Sequence, residues 1–239
     1  MQKLIAIILV AVLLQSCKEE KINNAVITSP IDNSASIVVL VDKSLSVQDF
    51  GIPAMNLNDF NKFIEYIHLN SGTFAASAIG ENSDRVMVTL TIEKAPIAPK
   101  KPRREDYKST VFLNKNNKYK TKLLPEYEAK KAKWDSITKQ KIQRFKSALE
   151  ALLNEPYNQR KTDIFNGLNR ANVVHNSSNT NQHLTIILSD GIDDVGNPLR
   201  EITGDVALVF GTEQFSKELK KLPKFKRFET LEMAMQILN

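Results

Sequence analysis

The sequence predicts an α/β protein in which helices cover both faces of one mostly parallel sheet. The segments "SIVVLV", "LTIILSDG" and "DVALVFG" indicate buried strands, because each is short, continuous and rich in Val, Ile and Leu. Segments of helical period lie between them. Strands that are apolar along their whole length are typical of doubly wound parallel sheets. With 239 residues, of which 42% are hydrophobic, the chain is long enough for one such domain with an elaboration.

The first residues, "MQKLIAIILVAVLLQSC", have the organisation of an export signal. A short basic start precedes an apolar run from Leu4 to Leu14, which is too short to span a membrane comfortably. The end of this run, "LLQSC", resembles the lipobox of bacterial lipoproteins. The resemblance implies a signal peptide over residues 1–16 and lipid on Cys17, which is the only cysteine and therefore forms no disulfide within the chain.

Residues 17–35 are expected to form the lipidated cysteine and a flexible tether. The tether starts with "KEEK", which resembles the surface-export signal of lipoproteins in one phylum of Gram-negative bacteria. This resemblance implies an outer-membrane lipoprotein whose soluble part lies at the cell surface. The periplasmic face of that membrane is the alternative location.

The domain itself is predicted over residues 36–239 and begins with the strand "SIVVLV". Next, "LNDFNKFIEYIHLN" predicts a helix, because its apolar residues recur at helical spacing. Two strands are then predicted in "GTFAASAIG" and "RVMVTLTIE", separated by the polar turn "ENSD". A strand, a helix and a strand in this order begin an α/β layer architecture.

The segment from Glu93 to Lys161 is strongly basic, with 19 Lys or Arg residues against 8 Asp or Glu residues. Its first part contains three prolines and predicts an extended excursion, whereas "EYEAKKAKWDSITKQKIQRFKSALEALLN" predicts one long helix. We interpret residues of about 93–135 as an insertion that leads into a core helix. A run of like charges is usually a solvated face, although this one could also bind an anionic ligand. Nucleic acid is the less favoured anionic ligand, because the protein is expected outside the cytoplasm.

Regular alternation resumes after the basic segment. "TDIFNGLNRANVV" predicts a helix, "LTIILSDG" and "DVALVFG" predict strands, and "RFETLEMAMQIL" predicts a closing helix.

Polar residues follow two of the predicted strands. Asp42, Ser44 and Ser46 end the stretch "IVVLVDKSLS", and Asp190 ends "LTIILSD". In doubly wound sheets, ligands bind beyond the carboxyl ends of the strands, so these side chains are expected at one edge. Their oxygens suit hard divalent cations such as Mg²⁺. Neutral hydroxyl ligands leave the charge of the ion largely uncancelled, so that it attracts a carboxylate from a partner.

The stretch "DKSLS" matches the Asp-x-Ser-x-Ser signature of the von Willebrand factor type A (vWA) domain, and "SDG" resembles the later Asp-Gly motif of that family. The resemblance covers about residues 36–239, except for the basic segment. It implies a doubly wound, vWA/Rossmann-like α/β fold with a metal-ion-dependent adhesion site for Mg²⁺ or Mn²⁺. By position, Ser44 and Ser46 would bind the ion directly, while Asp42 and Asp190 would act through waters or accept hydrogen bonds from its ligands.

The remaining ligand of the family is a threonine on a loop before a helix, and Thr162 in "KTDIFNGL" matches it. Arg160 and Lys161 stand where the family often has glycines, which departs from its pattern, and Thr110 is a more distant alternative. Asp49 lies where some relatives have a ligand for a second metal. Because Phe50 stands where an acidic residue is expected beside it, we interpret Asp49 as a solvated loop residue.

Catalysis is not expected from this sequence. A nucleophilic serine needs a base within reach, and His68, His175 and His183 all lie outside the predicted strand ends. The sequence therefore predicts a lipid-anchored, non-enzymatic binding module that recognises a protein partner supplying an acidic residue to the metal. The alternatives are a structural envelope scaffold whose metal site is vestigial or purely stabilising, and binding of an anionic ligand by the basic segment.

Overall fold

A computed structural model of the chain describes residues 32–81, 83 and 85–238. The expected signal peptide, Cys17 and the tether up to residue 31 lie outside the described residues. None of the helices in the described ranges is long and apolar enough to cross a membrane.

Within the described ranges, six strands form one sheet in the order β3-β2-β1-β4-β5-β6. The strands are β1 (Ala35–Asp42), β2 (Gly72–Ile79), β3 (Val88–Ile92), β4 (Gln182–Leu188), β5 (Asp205–Val209) and β6 (Phe225–Phe228). Neighbouring strands pair in parallel, except for β2 and β3, which are antiparallel. This mostly parallel sheet, with helices between its strands, confirms the predicted α/β fold.

Helices connect most of the strands. They are α1 (Leu45–Asp49), α2 (Asn61–Asn70), α3 (Ser109–Lys118), α4 (Leu124–Leu153), α5 (Ile164–Ser177), α6 (Lys217–Lys220) and α7 (Leu231–Met235). Short 3-10 turns occupy Leu57–Phe60, Arg104–Asp106 and Gln236–Leu238, and a π-helical turn at Tyr119–Leu123 joins α3 to α4.

Apolar side chains pack on both faces of the sheet, because successive residues of a strand point in opposite directions. In β1, Ile37, Val39 and Val41 join a cluster with residues of α2, α4 and α7, whereas Val38 and Leu40 join a second cluster with residues of α5 and α6. All eight residues of β1 are buried. Burial of both faces explains why the sequence of β1 is a continuous apolar run and lacks alternation.

Two sequence predictions about local structure are wrong in part. The segment expected to be an extended excursion contains α3, which starts seven residues after its last proline. The closing helix starts at Leu231, not at Arg227, because Phe225–Phe228 pairs with β5 as an edge strand. Thr230 then caps the helix by accepting a hydrogen bond from the backbone N–H of Met233 at 3.3 Å.

The buried imidazole of His175 joins α5 to two strands of the sheet. Its Nδ1 lies 2.8 Å from Ser36 Oγ on β1, and its Nε2 lies 2.9 Å from Thr185 Oγ1 on β4. Burial, with a smaller contribution from the neighbouring His183, lowers the pKa of His175 to about 3. His175 is therefore neutral at pH 7 and acts as a packed polar link between the helix and the sheet.

This lowered pKa predicts loss of stability in acid. Between pH 6.5 and about 3, the unfolded chain binds a proton at His175 that the folded chain does not, so the free energy of unfolding falls by up to about 1.4 kcal/mol per pH unit. His175→Gln should be less stable than the wild type at pH 7 but should lose less stability between pH 7 and pH 5. Urea denaturation at several pH values measures both quantities. His68→Gln, at an exposed position, should retain the wild-type pH dependence; an equally steep slope for His175→Gln would contradict the assignment.

Candidate functional site

Three of the predicted site residues meet where β1 and β4 end. Asp42 is the last residue of β1, Asp190 comes two residues after β4, and Thr162 lies two residues before α5. Because β1 and β4 are parallel neighbours, their carboxyl ends lie at the same edge of the sheet. All three side chains are buried, with at most 1% of their surface exposed.

Hydrogen bonds converge on the carboxylate of Asp42. Its Oδ1 accepts from the backbone N–H of Ser44 at 2.8 Å, and Thr162 Oγ1 lies 3.3 Å from both carboxylate oxygens. Ser189 Oγ donates to Asp42 Oδ2 at 2.6 Å and lies 3.3 Å from Asp190 Oδ1. The residues from two strand ends and the loop before α5 therefore form one connected network.

Ser44 and Ser46 lie at the start of α1, a short helix that the sequence analysis did not predict. Ser44 is the residue before the helix and is buried, whereas Ser46 is half-buried in its first turn. Their Oγ atoms are 3.0 Å apart. Neighbouring oxygens at the usual 2.0–2.1 Å from an octahedral Mg²⁺ are about 2.9 Å apart, so this spacing is compatible with two adjacent ligands of one ion.

Backbone pairing brings Thr162 to Asp42. Gln159 donates its N–H to Lys43 O at 3.1 Å, and Leu45 donates its N–H to Gln159 O at 2.9 Å. The segment before Thr162 thus runs alongside the segment after β1. Thr162 is the threonine that contacts Asp42, whereas Thr110 lies exposed in α3.

Two aspartates that the sequence analysis missed hold the loop of Thr162. Asp194 Oδ2 accepts from the N–H of Thr162 at 3.2 Å, and the N–H of Asp194 donates to Thr162 O at 2.9 Å. Asp193 Oδ1 accepts from the first two N–H groups of α5, those of Ile164 and Phe165, at 2.7 and 3.1 Å. The acidic pair directly after "SDG" was the available signal, because carboxylates stabilise the N-terminal ends of helices.

The two site carboxylates are buried without a cationic partner in the described part of the chain. Burial is the main reason why the pKa of Asp42 is raised, and the neighbouring Asp190 raises this pKa further. Hydrogen bonds from Ser189 and Ser44 act in the opposite direction and lower the pKa. Asp190 Oδ2 is buried without a hydrogen-bond partner in the described part of the chain. Among the ion pairs of the described ranges, none includes Asp42 or Asp190. A cation at this position would supply a positive partner for the two carboxylates and an interaction for Asp190 Oδ2.

The donor set fits a hard divalent cation. It combines three hydroxyl oxygens with two carboxylates, and oxygen ligands of this kind are those that Mg²⁺ and Mn²⁺ take in proteins. The described residues contain no group of three or more His, Cys, Asp or Glu side chains that could hold a metal. Any metal held here would therefore depend on the serine and threonine hydroxyls as well as on the carboxylates.

Lys43, between the two motif residues Asp42 and Ser44, is a buried lysine whose hydrogen bonds go to the end of α4. Its Nζ donates to Leu153 O at 2.7 Å and to Glu155 O at 3.0 Å, and it lies 4.3 Å from the ring centroid of Tyr157. Burial lowers the pKa of Lys43, and the charge of Glu155 opposes this change. The ammonium group satisfies carbonyls at and just beyond the C-terminal end of α4, where a positive charge is favourable.

Removal of this ammonium should destabilise the fold. Lys43→Met keeps most of the apolar stem but leaves the carbonyls of Leu153 and Glu155 without their donor, which should lower the free energy of unfolding by about 2 kcal/mol. Urea denaturation provides the measurement. Lys217→Met, at an exposed lysine of α6, is the matched control and should stay within about 0.5 kcal/mol of the wild type. Equal stability of the two variants would exclude the structural role of Lys43.

One further interpretation from the sequence concerns the exposure of Asp49. Asp49 is exposed, as expected of a solvated residue, but it does not lie in a loop, because it is the last residue of α1. Arg160 and Lys161, which depart from the glycines of the family, are also exposed, while Thr162 directly after them is buried.

Comparison with known proteins adds little to this geometry. No family model matches the chain, and no curated protein matches it. Among solved structures, the pilus adhesin SpaC from Lactobacillus rhamnosus GG, in an open conformation, is similar to 86% of this chain with 11% sequence identity and a TM-score of 0.40. The chain spans 29% of the length of that adhesin chain. A similarity at this level does not bear on the function, which has to be argued from the residues of the site.

Proposed function

We propose that the protein is a vWA-like, non-enzymatic binding module in which Asp42, Ser44, Ser46, Thr162 and Asp190 hold Mg²⁺ or Mn²⁺. The observation that carries this proposal is the convergence of two buried carboxylates and a threonine hydroxyl at the carboxyl edge of the sheet. The doubly wound arrangement of that family is supported by the strand order and by the apolar clusters on both faces. The region of about 93–135 is proposed as an insertion into it.

The hydroxyl residues of the site and Asp42 have different roles in this proposal. Ser44, Ser46 and Thr162 supply neutral oxygens, which leave most of the metal charge uncancelled. Asp42 orients the loop through the N–H of Ser44 and accepts from Ser189 and Thr162. When bound, the ion would offer a coordination position to a carboxylate of a partner protein.

The proposed partner is therefore a protein that presents a Glu or Asp side chain to the site. No histidine of the described residues takes part in the hydrogen bonds of Asp42 or Asp190, which supports a binding role over a catalytic one. A scaffold with a purely stabilising metal site would bind the ion but would not respond to a carboxylate ligand. Binding of an anionic ligand by the basic segment would not require the ion at all.

Metal binding should depend on Asp42. The purified protein should bind one Mn²⁺ or Mg²⁺ in calorimetry. Asp42→Asn should weaken this binding by about tenfold or more, because a carboxylate that is hydrogen-bonded to the metal ligands holds them in the orientation needed for binding. Affinity should also fall in acid, since burial already favours the protonated form of Asp42. Asp49→Asn removes an equal charge from the end of α1 and should leave the affinity unchanged. Absence of binding by the wild type would refute the metal site.

A second measurement separates the partner-binding function from a stabilising role. Water-proton relaxation reports the water molecules on bound Mn²⁺, and a short peptide containing Glu should reduce the relaxation by replacing one of them. The same peptide with Gln in place of Glu should have no effect. Metal binding that is unaffected by the Glu peptide would favour the scaffold and contradict a carboxylate-receiving site.

We also propose that the module is anchored to the outer membrane through lipid on Cys17, with its soluble part at the cell surface. The proposal rests on "LLQSC" and "KEEK". Growth with a labelled fatty acid should mark the wild type and Ser16→Gly, which keeps a small residue before the cysteine, but not Cys17→Ala. Label on Cys17→Ala would contradict the anchor. Protease treatment of intact cells should then remove the protein, and survival of the intact chain would place it on the periplasmic face.

A further inference from the structure

The free edge of β3, together with the neighbouring face of α4, forms a groove that the proposed metal site does not use. Its volume is about 690 Å³, and the segment from Val86 to Thr91, which leads into and forms most of β3, faces Lys141 and Arg144 across it. β3 lies at the end of the sheet, and among the described residues it pairs only with β2. An edge strand presents unpaired backbone groups to which another extended chain can pair.

Side chains of α4 cover one half of this edge. Lys141 Nζ donates to Thr91 O at 3.2 Å, and Trp134 Nε1 donates to Glu93 O at 3.1 Å. These contacts show that the odd-numbered residues direct their carbonyls outward, since alternate residues of a strand point their backbone groups to opposite sides. The 3.3 Å distance between Thr73 Oγ1 and Thr91 Oγ1 agrees with a pair that exchanges no backbone hydrogen bonds with β2.

The other half of the edge lacks such a cover. By the same alternation, Thr89 presents its N–H and carbonyl outward, and no hydrogen bond in the described ranges reaches them from α4. Within the described part of the chain, the outward carbonyl of Met87 accepts a hydrogen bond only from Thr89 Oγ1, at 3.3 Å. Val86, at the start of this half, is 93% exposed.

The positive charge of Lys141 and Arg144 indicates which kind of segment would bind in the groove. Lys141 and Arg144 lie on one face of α4 with Phe145 and Ala148, at spacings of three, four and seven residues. Both cationic side chains are exposed, and neither takes part in an ion pair among the described residues. The floor between them and the strand is the buried pair Leu90 and Phe145. An extended segment in the groove would thus place alternate side chains against positive charge and the others beside the threonines of β3.

We propose that an extended acidic segment of another protein adds to the sheet as a strand beside β3, along Val86–Leu90. Its backbone pairs with the outward groups of Thr89 and Met87, and acidic side chains at alternate positions contact Lys141 and Arg144. This surface is independent of the proposed metal site, because none of its residues belongs to the network of Asp42.

A synthetic peptide of alternating Glu and Val, labelled with a fluorophore, provides the probe. The purified full chain should bind it in an anisotropy titration, and amide signals of Val86–Leu90 should shift in NMR spectra. N-methylation of alternate peptide groups should weaken binding by about tenfold or more when the methylated groups face β3, because these N–H groups then cannot pair. Equal binding of the methylated and unmethylated peptides would show attraction by charge alone and overturn the proposal, as would the absence of binding.

Variants of the chain provide matched controls. Arg144→Glu should weaken binding of the peptide by about tenfold, whereas Lys139→Glu, an equal charge change at an exposed position outside the groove, should change it by less than about twofold at physiological salt. Thr89→Pro removes the outward N–H and should abolish binding, while the ladder to β2 is retained. Equal effects of Arg144→Glu and Lys139→Glu would overturn the assignment of the groove. If Thr89→Pro does not fold, the methylated peptides still decide the question.

Discussion

The buried carboxylate of Asp42, at the carboxyl end of the central strand, is the group around which the site is built. Burial without a counter-charge is unfavourable, so the chain surrounds it with donors: the N–H of Ser44 and the hydroxyls of Ser189 and Thr162. Each donor comes from a different segment. The same carboxylate therefore determines where the loop after β1, the end of β4 and the approach to α5 must lie, and a second buried carboxylate, that of Asp190, makes a cation at this position favourable.

Lys43 connects this site to α4. Asp42 directs its side chain into the network, while the next residue sends its ammonium group to carbonyls at the end of α4. The helix is 30 residues long, and its buried apolar residues, Phe145, Leu149, Leu152 and Leu153, lie in its last third. The C-terminal end of α4 is thus packed against the domain and adjoins the site. Many of the lysines of the basic segment precede this end and lie in the more exposed part of the helix. The ammonium group of Lys43 therefore links the loop after β1 to the C-terminal end of the basic helix α4.

The two ends of the sheet are protected differently. At the β6 end the edge strand is short and bears the basic residues Lys226 and Arg227, which discourage pairing with another chain. At the β3 end, Trp134 and Lys141 of α4 reach the outward carbonyls of Glu93 and Thr91 but leave the first half of the strand open. Partial cover of this kind restricts where another chain can pair and places cationic side chains beside it. The site and the β3 edge are thus separate surfaces, and an acidic partner is proposed for each.

The sequence by itself determined the α/β class and the positions of the main strands and the long helix, because apolar periodicity is a local signal. Strand-end residues and a family resemblance together nominated five oxygen-bearing residues for the site, of which the fold brings Asp42, Thr162 and Asp190 into one network. Tertiary structure decided the rest. Phe225–Phe228 forms a strand only because β5 offers it a partner, and Asp193 and Asp194 acquire their roles only where α5 and Thr162 are folded against them. Lys43 is an ordinary charged residue in the sequence. It becomes a buried hydrogen-bond donor because the fold brings back Leu153 and Glu155, which lie 110 and 112 positions further along the chain. No local pattern in the sequence encodes such a contact.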